Sequence, residues 1–182
     1  MQYKNNSTRF GALSIGLHWL MALLMVAVYA SIELRELFER GTELRNAFKH
    51  WHFMLGLSVF FLMWLRLALK VTQTTPAIAP ELPRYQMLLS KVVHGLLYLL
   101  MILMPIGGWL ILSGEGKVIP FFGLELPALI APDKALAHDI EDIHQTFGQI
   151  GYGLIALHAF AALAHHYFFK DNTLARMLPQ RD

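Results

Sequence analysis

An all-α fold, a bundle of four transmembrane helices, is what this sequence predicts, and three observations predict it. Of 182 residues 55% are hydrophobic and 15% charged, with a mean hydropathy of +0.44. The apolar residues gather in four runs of about 20 residues, the length a helix needs to cross a bilayer core. Those runs are continuous and rich in Leu, Ala and Met, whereas a transmembrane barrel alternates apolar and polar residues in segments of roughly ten. A soluble domain has no use for this much apolar surface. A single integral-membrane domain over 1–182 is the expectation.

The spans fall at 14–33, 52–71, 92–112 and 147–168. The first follows Lys4 and Arg9, and Val28-Tyr29-Ala30 inside it resembles a small-residue cleavage site, but we read the segment as a retained span. Four crossings return the chain to the side on which it began. The terminal side, with the second connection, carries Lys4, Arg9, Arg66, Lys70, Arg84, Lys91, Lys170, Arg176 and Arg181 against only Glu81, Asp171 and Asp182. The other two connections, 34–51 and 113–146, hold more acid than base. By the positive-inside rule both termini are cytoplasmic and the acidic connections face outward. The second connection, with Thr74-Thr75-Pro76, Pro80 and Pro83, reads as an ordered inner loop. The third, rich in Gly and Pro, is the largest irregular piece, and its apolar stretch 119–122 is expected to lie on the outer interface.

The chain has no cysteine. That removes disulfide scaffolds, iron–sulfur clusters, thiolate-ligated haem and covalently attached c-type haem. Nine histidines remain, several within the apolar runs, where an ionisable group is costly and marks function. His144 and His158 lie fourteen residues apart, which on a helix is close to four turns and roughly 21 Å of depth. Their imidazoles therefore share a face at two levels. His52 enters helix two from the outer side and His18 enters helix one from the inner side, so depth pairs His52 with His144 and His18 with His158. Two facing pairs in a four-helix bundle are what two six-coordinate b haems need. Gly56, Gly148, Ala22 and Ala162 each follow a ligand by one turn and leave room for a flat macrocycle. A zinc or copper site is weaker, because the pairs are too far apart to converge and neither has an evident third ligand.

Other residues carry two readings each. His50 lies two positions from His52 on a nearly opposite face, so only one of them points toward helix four, and Gly56 favours His52. Arg66, fourteen positions after His52, either meets a haem propionate or snorkels to the inner headgroups. His94, His165 and His166 stand at the inner ends of helices three and four. His165, about two turns beyond His158, suits a quinone head group that needs a proton on reduction, or else contacts headgroups and carbonyls. Arg35 and Lys49 approach the outer haem level as a patch attracting an anion, or else pair with neighbouring glutamates in solvent.

Taken as motifs, 14–20 (SIGLHWL), the stretch from His52 to Arg66, and the segment from Gly153 through His158, Ala164-His165-His166-Tyr167-Phe168 and Lys170-Asp171-Asn172-Thr173-Leu174 resemble the bacterial cytochrome b561 family. The likeness is strongest to the di-haem superoxide oxidases of bacterial inner membranes and covers nearly the whole chain. It is more distant to the cytochrome b subunits of membrane hydrogenases and formate dehydrogenases. The resemblance implies two b haems on His18, His52, His144 and His158, electrons taken from superoxide on the periplasmic side, and ubiquinone as acceptor. It also matches His94 to a family position. The partners it implies are superoxide, ubiquinone and membrane lipid, with neither nucleic acid nor an obligate protein partner. Two other functions compete: an electron carrier exchanging electrons between the quinone pool and a periplasmic protein, and a haem-free protein whose histidines bind a metal or a cation. Short outer connections favour a small donor over a large protein.

Overall fold

The computed structural model describes residues 2–179; Arg181 and Asp182 of the charge reading lie outside them. Among the described residues the chain forms helices α1 (Ala12–Arg35), α2 (Glu43–Thr72) and α3 (Arg84–Gly114), a hairpin of β1 (Ile119–Phe121) and β2 (Leu124–Leu126), and α4 (Lys134–Ala164). A π-helical turn, His165–Phe169, continues α4, and a 3-10 turn, Ala175–Met177, follows. All four long helices are apolar enough to cross a membrane. The second, third and fourth begin well before their apolar runs. Thr42 caps α2 by accepting from the Arg45 amide, and Asp133 caps α4 by accepting from the Ala135 and Leu136 amides at 3.1 Å. Hydropathy marks only what sits in lipid, whereas a cap marks where the backbone begins to coil. The connections at that end shrink accordingly, to 36–42 and 115–133.

Consecutive helices pack on each other, α1 on α2, α2 on α3 and α3 on α4, while α4 meets α1 and α2 chiefly through side chains. Leu17, Met21, Val59 and Met63 are buried between α1 and α2, with Tyr98, Met101 and Ile102 of α3 against them. Leu23, Val26, Leu99, Leu103 and Phe160 are exposed. An outward coat of this kind suits contact with acyl chains, leaving close packing to hold the helices together. At one end of the bundle the hairpin folds onto α2 and α3, burying Ile119 against Leu57 and Leu112. Its turn residues Phe122 and Gly123 both have positive φ, 47° and 84°, the mirror-image turn that matches strand twist. The apolar 119–122 stretch expected at an interface is thus a strand and a turn, with the Phe122 ring edge-on to Trp51 at 6.4 Å.

At the opposite end both termini and the 73–83 connection are tied together. Ala77 donates to the Ser7 carbonyl, Asn172 exchanges hydrogen bonds with the Ala79 backbone, Trp19 Nε1 donates to the Met177 carbonyl at 2.7 Å, and the buried Arg176 donates to the Pro76 carbonyl. Asp171 sits inside this knot at 5% exposure. Burial pushes its carboxyl up, but hydrogen bonds from Thr173 and His165 together outweigh it and hold the group below the usual carboxylate range. A lowered folded value means stability that is present above the unfolded value of about 3.9 and is lost as pH falls through the folded one. Asp171→Asn is therefore expected to lower the melting temperature of detergent-solubilised protein at neutral pH. The gap to wild type should close in acid; a gap unchanged down to about pH 3 contradicts this.

Candidate functional site

Helix α4 carries His144 and His158, and each meets one imidazole from the neighbouring pair of helices. The ring of His158 lies 6.3 Å from that of His18, centre to centre, with planes at 89°. The ring of His144 lies 6.3 Å from that of His52, at 75°. These are the two pairs that depth alone predicts. His52 is the half-buried member of its helix face and His50 is exposed, which resolves the choice between them in favour of His52.

The surroundings of each ring constrain its chemistry. His52 donates Nδ1–H to the Val28 carbonyl at 3.1 Å, so Nε2 keeps its lone pair. His144 Nδ1 is buried with no hydrogen-bond partner in the protein. The His144 ring lies against Gly107 and Gly108 of α3: a Cβ added there would stand 3.2 Å from Nδ1 and 3.6 Å from Cε1. Sequence reasoning missed these glycines, although an adjacent Gly-Gly inside an apolar span is itself a signal that something wide sits beside it. Of the small residues that it did identify, Gly56 opens onto space, since an added Cβ meets nothing within 4 Å, and Gly148 would meet only the tip of Met104 at 3.7 Å.

These features fit a flat cofactor bound through its metal. A ligating imidazole nitrogen sits about 2.0 Å from a first-row metal, with the ring centre roughly 1.2 Å behind it, so imidazoles on opposite sides of one metal have centres a little over 6 Å apart. Both pairs meet that spacing. Among the described residues no group of three or more His, Cys, Asp or Glu side chains converges on a point that could hold a bare ion.

Near the termini the first pair has further company. His94 of α3 places its ring 5.2 Å from His158, too near for a metal between them, and donates Nδ1–H to the Ser90 carbonyl at 2.6 Å. Arg66 is half-buried and acts electrostatically on His18, His94 and His158. His165 gives its Nδ1–H to Asp171 at 2.5 Å, while His166 turns toward Tyr167.

At the hairpin end Arg35 and Lys49, grouped as one patch by sequence, part company. Arg35 is paired with Glu36 at 2.7 Å, and Arg45 takes the same carboxylate at 2.9 Å. Their hydrogen bonds, Arg35 first, hold the Glu36 carboxyl below its ordinary range. Lys49 lies over the Phe53 ring and lines a cleft of about 260 Å³ with Asn46, His50 and Lys117, one turn of helix from His52. Glu33, one of the glutamates neighbouring these bases in sequence, accepts instead from the Tyr152 hydroxyl at 2.6 Å.

Comparison with known proteins gives this geometry a context. The model of the prokaryotic cytochrome b561 family matches residues 9–180. Cytochrome b561 homolog 1 of Escherichia coli K12 is 38% identical over 173 residues, 95% of this chain and 98% of the relative. The probable superoxide oxidase CybB of Yersinia pestis is 37% identical over 173 residues, 95% of this chain and 97% of that protein. With four apolar helices and a family match spanning nearly its whole length, the chain belongs to the prokaryotic cytochrome b561 family, multi-pass membrane cytochromes that bind haem b and carry electrons.

Proposed function

We propose that this chain is a di-haem b cytochrome of the bacterial inner membrane that oxidises superoxide to dioxygen on the periplasmic side and passes the electrons to ubiquinone. The observation that carries the proposal is the pair of imidazole pairs along α4, each at 6.3 Å. On this reading His52 and His144 hold one haem and His18 and His158 the other, at levels roughly 21 Å apart. A b haem with two imidazole ligands supplies a reversible one-electron couple. The residues supply the rest. Val28 fixes the tautomer of His52, Gly107 and Gly108 leave width beside His144, and Arg66 offers a guanidinium to a propionate.

The basic terminal end is placed in the cytoplasm by the positive-inside rule, so the hairpin end is periplasmic. Superoxide as donor is supported by the name of the Yersinia pestis relative and by Lys49, which no carboxylate neutralises among the described ion pairs. The shortened connections at that end leave little surface for a protein donor. Quinone reduction belongs at the terminal end, where His94, His165 and His166 gather. In balance, two superoxide anions, one ubiquinone and two protons give two dioxygen and one ubiquinol.

Rapid mixing of the oxidised, haem-loaded protein with superoxide tests the proposal. Haem reduction is expected at about 10⁸ M⁻¹s⁻¹ or above, falling with added salt, and Lys49→Gln should slow it severalfold and flatten the salt dependence. A protein that dithionite reduces but superoxide does not would instead be a carrier served by another donor.

A further inference from the structure

Asp171 and His165 form a dyad that neither imidazole pair uses. His165 opens the π-helical turn that ends α4, the kind of local widening found often at functional sites. The chain then reverses at Lys170, whose φ of 55° is left-handed. That reversal brings Asp171 back onto the turn it has just left: its amide donates to the His165 carbonyl at 3.1 Å, and its Oδ2 accepts the His165 Nδ1–H at 2.5 Å. Oδ1 accepts from the Thr173 amide at 2.8 Å. The Asp171 side chain is 1% exposed and that of His165 17%. The carboxylate is sealed, and the imidazole retains an accessible edge. Asp171 acts electrostatically on the buried Arg176, and the Phe169 ring lies 5.2 Å from the imidazole. His165 stands seven residues beyond His158, roughly 10 Å along the helix.

We propose that Asp171 is a positioning residue that holds His165 with its Nε2 edge free to give a proton to a quinone carbonyl. The inference rests on the quinone reduction assigned above and adds the group that orients its acid. With Nδ1–H engaged, Nε2 is the one nitrogen that can exchange protons with a ligand. As the quinone takes an electron, Nε2–H of the imidazolium transfers to the carbonyl oxygen. The neutral imidazole keeps Nδ1–H on the carboxylate and recovers a proton at Nε2 from cytoplasmic water. With two electrons and a second proton taken from water at the opposite carbonyl the quinol is complete, and the carboxylate remains ionised throughout, orienting the imidazole.

The test uses haem-loaded protein and a short-chain ubiquinone, with superoxide as reductant and Asp171→Asn, Asp171→Glu, His165→Gln and the Asn/Gln double variant compared. Asp171→Asn is expected to lower the kcat of quinone reduction by about tenfold to a hundredfold with KM little changed, as losses of such orienting partners do. Asp171→Glu should recover part of the rate, and the double variant should be no slower than His165→Gln alone. Haem content and the earlier reduction of haem by superoxide should hold at wild-type values. Wild-type quinone reduction in Asp171→Asn, or a loss that adds in full to that of His165→Gln, overturns the proposal. If the Asn variant fails to load haem, His165→Gln decides, since quinone reduction at the wild-type rate in that variant also overturns it. Failure of the wild type itself to reduce ubiquinone, once its haems are reduced, is a separate result that removes both readings.

Discussion

If the proposed di-haem arrangement holds, replacing His158 by alanine is expected to halve haem content, from two per chain to one by pyridine haemochrome, and to abolish ubiquinone reduction. His158 is the hub of the terminal-end cluster, with His18 at 6.3 Å on one side and His94 at 5.2 Å on another. Without it His18 has no counterpart on α4. His94 is no substitute in place, because it belongs to α3 and does not stand where His158 of α4 faces His18. The haem left at the other level would stand roughly 30 Å along α4 from His165, so reduction of that haem by superoxide should persist while turnover stops. His18→Ala should give the same pattern, and His52→Ala or His144→Ala the reciprocal one. Full haem content in any of the four would break the assignment of ligands.

The second large effect is expected at a residue that makes no polar contact. Gly107→Leu should empty the hairpin-end site and leave the terminal-end haem in place. A Cβ at this position stands 3.2 Å from His144 Nδ1, so alanine demands a shift of a few tenths of an ångström, and leucine drives three further carbons toward the ring. Overpacking of this kind costs about 1–3 kcal/mol even where a core can relax. Here the relaxation available is rotation of His144 away from His52. Haem content falling toward one per chain in the leucine variant, with alanine near wild type, is the expected result. Full occupancy in both variants would show that α3 does not wall the site.

The contrast between these two positions explains what could be read from the amino acids alone. The spans were legible because hydropathy integrates over a whole helix, and the His pairs because a fourteen-residue spacing translates into depth and face without knowledge of any neighbour. Helix starts at Glu43 and Lys134 were not, since the added turns lie beyond the apolar runs; Thr42 and Asp133 were in view but cap signals weigh little against a polar stretch. Gly107 acquires meaning only once α3 is known to face His144. Arg35 and Lys49 look alike in sequence, and the conformation of the 36–42 connection decides that Glu36 serves Arg35 and Arg45 but not Lys49. The Asp171 contact depends on a left-handed lysine, a conformation that residue type does not announce.

The knot at the terminal end also sets an order of events. Asn172, Arg176 and Met177 bind Ala79, Pro76 and Trp19, residues synthesised far earlier. During translation the walls of the bundle therefore exist before its floor does. A nascent chain halted short of residue 172 would own every membrane crossing yet leave this end of the bundle unlatched until residues 172–177 arrive.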